Sequence, residues 1–218
     1  MSKTPSLFDL AFKDAPDLTL ERRHAASFNG LICGVDEAGR GPWAGPVVTS
    51  AVMLDYCNVP VGLNDSKKLT EARREELFEQ IVSSAFVSVA SSSPATIDRI
   101  NIRSATLFAM VRAVNGLAKT PAYVLVDGRD VPLRLRQPGQ ALIKGDGRCL
   151  CIAAASIIAK VTRDRMMVLL EDDYPDYGFA QHKGYGVPKH QSALEAHGPT
   201  PHHRLSFKPV RLAAEAKE

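Results

Sequence analysis

Three short apolar runs in this chain each have an acidic residue at or just past their end, and that placement constrains the fold more than any other feature. Leu31–Val35 runs into Asp36-Glu37, Tyr123–Val126 into Asp127, and Ala141–Ile143 is followed after Lys144-Gly145 by Asp146. Short apolar runs bounded by turn residues read as buried strands. In an open α/β sheet, ligands gather in the crevice beyond the strand ends, so carboxylates carried there by separate strands can converge. One Asp before Gly is ordinary turn chemistry, and Asp146 would also serve to cap a following helix. Three such places together point to a shared cleft. Converged carboxylates repel strongly at low dielectric and become tolerable when a divalent cation neutralises them. Oxygen-only ligation without His or Cys suits Mg²⁺ or Mn²⁺. Neighbouring strand residues point to opposite faces. Asp36 and Glu37 therefore enter one cleft only if the strand breaks at Glu37; otherwise one of them supports the site from behind.

The remaining elements follow from periodicity and caps. A Gly/Pro-rich turn (Gly39, Gly41, Pro42, Gly45, Pro46) leads to a second strand over Val47–Leu54, and Phe86–Ala90 reads as a third. A helix is expected over Thr70–Ser84 with Thr70 as N-cap. Ser93-Pro94 opens another helix. Leu107, Met110, Val111, Val114 and Leu117 mark a helix face that Gly116 and Pro121 bring to an end. A long helix from Cys149 to Glu171 carries Ala153-Ala154-Ala155, small enough to lie close against a sheet. Successive strands followed by alternating helices and strands imply a mixed α/β sheet.

With 218 residues, one domain is the default, and 45% apolar residues exclude disorder over most of the length. Residues 1–28 lack periodicity and balance four acidic against four basic residues, so a loosely held tail is expected there. Within it Ser6-Leu7-Phe8-Asp9-Leu10 offers at most a docking motif for a replication or repair protein. The body is expected over 29–192, with 193–218 as a helical or irregular extension packed on it. Four irregularly spaced cysteines suggest reduced thiols and a cytoplasmic setting rather than a disulfide framework. No run approaches the ~20 apolar residues of a membrane helix, no apolar leader core is present, and a monomer is expected. His197, His202 and His203 lack cysteine pairs and read as surface or C-terminal packing residues rather than a zinc set.

Hard-cation carboxylate sites mostly act on phosphate esters, with two metals about 3.5–4 Å apart activating water and stabilising the leaving oxygen. Cations should then surround the cleft. Residues 127–165 carry eight basic side chains against four acidic ones, and 177–218 six against three, whereas the whole chain carries only +3. The basic excess thus lies beside the acids, where a polyanion backbone needs it.

A longer series of motifs joins these acids. Val35-Asp36-Glu37-Ala38-Gly39-Arg40-Gly41-Pro42, Leu63-Asn64-Asp65-Ser66-Lys67-Lys68-Leu69, Val126-Asp127-Gly128, Lys144-Gly145-Asp146, Ala153–Asp164, His182-Lys183-Gly184-Tyr185-Gly186 and His203-Arg204 with Ser206-Phe207 occur in that order. The series resembles the type 2 ribonucleases H, the bacterial ribonuclease HII group, over roughly residues 30–210. The resemblance implies a ribonuclease H-like fold: a five-stranded mixed sheet flanked by helices, with a small C-terminal helical part. It also implies endonucleolytic cleavage 5′ to a ribonucleotide in duplex DNA or an RNA/DNA hybrid, leaving 3′-hydroxyl and 5′-phosphate ends. Such an enzyme removes misincorporated ribonucleotides and RNA primers.

The family's four metal-binding carboxylates fall on Asp36, Glu37, Asp127 and Asp146, holding two Mg²⁺ or Mn²⁺. Gly39-Arg40-Gly41 resembles the loop that reads the ribose 2′-hydroxyl, the group that separates RNA from DNA. Tyr185 resembles the tyrosine that packs on the neighbouring deoxyribose. Asn64, Ser66, Lys67, Lys68 and Lys183 are implied as phosphate contacts. Ser156 and Lys160, four apart on one helix face, are expected at the cleft wall or the DNA side. Two other readings compete: a resolvase or exonuclease selecting DNA structure on the same fold, and a non-catalytic nucleic-acid-binding module.

Overall fold

The computed structural model describes residues 15–217. In chain order these form α1 (Thr19–Phe28), β1 (Ile32–Ala38), β2 (Val47–Leu54), α2 (Glu71–Ser84), β3 (Ala85–Ser92), α3 (Pro94–Ile100), α4 (Ile102–Asn115), β4 (Tyr123–Asp127), β5 (Gly139–Leu142), α5 (Leu150–Asp173), α6 (Phe179–His182), α7 (Pro188–His197) and α8 (Lys208–Glu215). Short 3-10 turns occupy Ser66–Lys68, Gly145–Gly147 and Pro175–Tyr177. The expected caps are present: the Thr70 side chain accepts from Arg73 N, and that of Ser93 from Thr96 N with Pro94 just behind it. Asn101, at φ 64°, separates α3 from α4, and its side chain accepts from Ser104 N to start the second helix.

The strands make one sheet in the order β3-β2-β1-β4-β5. β1 pairs antiparallel with β2 and parallel with β4; β2–β3 is antiparallel and β4–β5 parallel, so the sheet is mixed. This is the ribonuclease H-like, five-stranded α/β architecture expected. Helix α5 lies across β1 and β2 on one face with α2 beside it, and α4 covers β2 and β3 on the other. Val52, Leu77, Ile81, Ile152 and Ile157 fill the first interface; Val35, Met53, Met110, Val114 and Val126 fill the second. A third apolar cluster, with Met167, Tyr177, Phe179, Leu194 and Val210, seats the C-terminal helices against the end of α5. At Gly34 the α5 backbone comes so close that an added Cβ would lie 2.2 Å from the Cys151 carbonyl carbon.

Several expectations need correction. β1 does not stop at Val35 but runs on to Ala38, because β2 keeps pairing with it through Ala38↔Val48. β5 is shifted to Gly139–Leu142, and Ile143 is exposed, because Lys144 turns away at φ 55°. Residues 19–28 of the stretch expected to be loosely held form α1, fastened by a fully buried Glu21 whose Oε1 accepts from Cys151 N at 2.8 Å. Its Oε2 has no partner among the described residues. The Ser6–Leu10 segment lies outside the described residues. α7 runs straight through the expected boundary at 192/193, so no break in the chain marks it. Among the described residues no helix is long and apolar enough to cross a membrane.

Candidate active site

Parallel pairing of β1 and β4 aligns Val35 with Val126, so the next residues, Asp36 within β1 and Asp127 at the end of β4, come side by side on adjacent strands. Neighbouring strands lie about 4.8 Å apart. Asp146 arrives from the turn between β5 and α5. That turn is tied to β4 by the Gly145 N–H, which donates to Asp127 Oδ1 at 2.7 Å. Burial, then the charges of Glu37 and Asp127, hold Asp36 well above the usual carboxylate range. Burial, then Asp127 and Asp65, push Asp146 up to about 6. Burial likewise raises Asp127, against the Gly145 hydrogen bond. Burial tends to lower Lys67, but the charges of Asp65, Asp146, Asp36 and Asp127 outweigh it and raise its pKa. The three strand-end sites therefore share one electrostatic field, with Lys67 at its edge.

Glu37 stands apart. The strand does not break there, and Asp36 and Glu37 alternate across the sheet edge as a regular strand requires. Asp36 lines a cleft on the α5 side with Ser66, Lys67, Ser156, Lys160 and Tyr185. Glu37 also borders a smaller hollow on the α4 side, with Arg103, Asp127, Arg129 and Asp130. Burial raises its pKa, opposed by Arg40, whose Nη1 lies 3.4 Å from Oε1. Among the described residues no three His, Cys, Asp or Glu side chains form a ready set that could hold a metal ion. The donors themselves are carboxylate oxygens with no imidazole or thiolate between them, the hard set that suits Mg²⁺ or Mn²⁺.

The larger cleft gathers most of the other expected residues. Gly39, Arg40, Gly41, Ser66, Lys67, Ser156, Lys160 and Tyr185 all line it. The hydroxyls of Ser66 and Ser156 meet at 2.8 Å, joining the Ser66–Lys68 turn to α5, while Lys160 Nζ pairs with Asp164 at 2.8 Å. Asn64, Lys68 and Lys183 do not line it. Asn64 Oδ1 accepts from Asp65 N, and Lys68 is exposed. The Lys183 ammonium donates to the Ala180 carbonyl, which leaves it a cap on α6 rather than a group turned into the cleft.

Tyr185 is 46% exposed, and a buried imidazole pair holds its backbone. Thr200 N donates to His203 Nδ1 at 3.0 Å, so the proton of that ring is on Nε2. His203 Nε2–H then donates to His190 Nε2 at 2.9 Å, leaving His190 Nδ1–H for the Tyr185 carbonyl at 2.9 Å. Both rings must be neutral for this chain of bonds. Burial, then the neighbouring His190, drives His203 down to about 3. Packing, the role expected of His203, is what it performs.

Two buried arginines were quoted in the motifs without a role. Arg163 donates to the carbonyls of Pro46, Lys183 and Ala44, joining the loop after β1 to the Tyr185 segment. Arg204, wholly buried, donates to Gly39, Arg40 and Gly45 carbonyls. Nothing in a one-dimensional pattern marks an arginine as interior, since most are solvated. Arg103 and Arg129, which border the smaller hollow, are exposed, and nothing local in the sequence separates them from other solvated arginines.

Comparison with known proteins agrees with this geometry. The family profile of Ribonuclease HII matches residues 33–210. A Ribonuclease HII from Rhizobium etli (strain CIAT 652) is 54% identical over 215 residues, spanning 99% of this chain and 93% of that protein. The crystal structure of the ribonuclease H2 from Pyrococcus horikoshii OT3 superposes with a TM-score of 0.76 at 31% identity, covering 85% of this chain and 98% of the other. The RNase HII of Archaeoglobus fulgidus, seen in complex with PCNA, gives a TM-score of 0.69 at 29% identity, covering 81% and 95%. Adjacent acid-bearing strand ends, a glycine-arginine-glycine bend beside them and a match that runs from β1 into α8 have one common explanation: the chain belongs to the Ribonuclease HII family.

Proposed function

We propose that this chain, an endoribonuclease of the ribonuclease H class, cleaves the phosphodiester 5′ to a ribonucleotide in an RNA/DNA hybrid or in duplex DNA. The products are 3′-hydroxyl and 5′-phosphate ends. One observation carries the reading: Asp36, on which the charges of Asp127 and Asp146 act, lines one cleft together with Glu37, Gly39–Gly41 and Tyr185. Asp36, Asp127 and Asp146, with Glu37, which borders the clefts of both Asp36 and Asp127, would hold two Mg²⁺ or Mn²⁺. Bound there, these ions would activate water and stabilise the leaving oxygen.

The chain's own residues do the rest. Peptide groups of Gly39–Gly41 read the ribose hydroxyl, a donor and acceptor that deoxyribose lacks. The exposed ring of Tyr185 packs on the adjoining sugar. Lys67, Lys160 and Ser66 lie where backbone phosphates would pass. Removal of misincorporated ribonucleotides and RNA primers in the cytoplasm fits this substrate and the four free thiols, and the archaeal complex with PCNA supports a replication or repair setting.

Asp127→Asn should abolish cleavage while leaving duplex affinity within about threefold, with circular dichroism confirming the fold. Matched duplexes carrying zero, one or several ribonucleotides, offered with Mg²⁺ or Mn²⁺, test the substrate. Cutting of the all-DNA duplex at an equal rate would support a structure-selective DNA nuclease instead, and no cutting of any duplex a binding module.

A further inference from the structure

Arg204 is an unusual interior residue. It is 0% exposed, and among the described residues no carboxylate stands at ion-pair distance from it. Burying a guanidinium whose charge is answered only from a distance, by Asp98, is costly, so its hydrogen bonds must serve more than filling space. They all go to one loop. Nη2 donates to Gly39 O at 2.6 Å and to Gly45 O at 2.8 Å, Nη1 to Arg40 O at 3.0 Å and Nε to Gly45 O at 3.0 Å. The fork thus draws two consecutive carbonyls, those of Gly39 and Arg40, toward the interior.

Peptide planarity gives this a consequence. None of the described peptides is cis, and in a trans peptide the C=O and the following N–H point in opposite directions. With the Gly39 and Arg40 carbonyls turned inward to Arg204, the N–H groups of Arg40 and Gly41 turn outward. Both residues line the cleft with Asp36 and Tyr185. Neither N–H donates to any group among the described residues. Two successive outward N–H groups form a small concavity that accepts an oxygen.

We propose that Arg204 is the positioning residue for sugar discrimination: by holding the Gly39 and Arg40 carbonyls inward, it aims the Arg40 and Gly41 N–H groups at the ribose 2′-oxygen. This rests on the reading of Gly39–Gly41 as the sugar-sensing loop. Lysine cannot replace the fork, because three donors on one nitrogen do not span from Gly39 and Arg40 to Gly45.

The test uses the full chain carrying Asp127→Asn, which should bind without cutting. Affinity is measured for a duplex with one ribonucleotide and for the same duplex in all-DNA form. With Arg204 present, the ribonucleotide duplex should bind at least tenfold tighter. Adding Arg204→Lys or Arg204→Met should bring that ratio close to one while the all-DNA affinity moves less than threefold. A merely structural loss would weaken both duplexes together. If the parent protein binds the two duplexes equally, the sugar-sensing reading fails and the Arg204 assignment falls with it. If the parent discriminates and folded Arg204→Lys discriminates equally well, Arg204 alone is refuted. Should both substitutions unfold the protein, the amide resonances of Arg40 and Gly41 in the Asp127→Asn chain decide. They should shift differently with the two duplexes, and identical shifts overturn the proposal.

Discussion

Two glycines on either side of Arg40 answer to different constraints. Gly39 has φ +93°, and an added Cβ would lie 2.0 Å from Arg163 Nε, so the fold itself requires glycine there. At Gly41 the nearest atom to an added Cβ is Tyr185 Cε1 at 3.9 Å, ordinary contact. A methyl at Gly41 would therefore disturb no packing and would project beside Tyr185, into the space assigned to the sugar. Gly41→Ala should leave stability within about 0.5 kcal/mol of the parent, while kcat/KM on a single-ribonucleotide duplex falls at least tenfold. Thermal melting and steady-state cleavage measured side by side check both halves; unchanged cleavage would remove Gly41 from the site. At the same scale, the alternation of side chains was legible from Asp36-Glu37 alone. Which of the two alternatives holds was not, because it depends on how far β2 continues to pair.

Among the elements, the contact between β1 and α5 is decisive, since it presents Asp36 beside Ser156 and Lys160. The small Ala153–Ala155 segment announced a close approach. The other half of that contact is Gly34, which the sequence offers as one more residue of an apolar strand. Gly34→Ala would push a methyl against main chain rather than a yielding side chain. We expect a loss of about 1–3 kcal/mol, read as a lower midpoint in urea with an unchanged slope. Caps such as Thr70 and Ser93 were readable because capping is local chemistry. The break at Asn101 and the shift of β5 were not, because each turns on a non-glycine residue at positive φ, Asn101 and Lys144, which the apolar pattern does not mark.

At the scale of the molecule, α1 locks onto α5 through Glu21. Burial pushes the Glu21 carboxyl up to about 7 from an ordinary 4.5. The folded state therefore binds this proton more tightly than the unfolded chain does. Its stabilising effect is complete below about pH 4.5 and is lost as pH rises through about 7. Glu21→Gln keeps an oxygen for Cys151 N but cannot ionise. Between pH 5 and 8 the parent should lose roughly 2 kcal/mol relative to this variant. Urea unfolding of both proteins at several pH values gives that difference directly, and parallel curves would exclude it.

Local order along the chain was enough to specify strand ends bearing acids, a Gly/Pro bend after the first of them, capped helices and a basic excess downstream. Each of these follows from side-chain chemistry acting over a few residues. Tertiary structure alone decided which face Glu37 takes, that residues 19–28 form a helix fastened by a buried carboxylate, and that Arg163 and Arg204 turn inward to gather carbonyls. The reason is physical. Register is fixed by pairing with another strand, burial and the orientation of a peptide plane by contacts with segments more than a hundred residues away, and the free energy of burying an ion depends on surroundings that no local stretch contains.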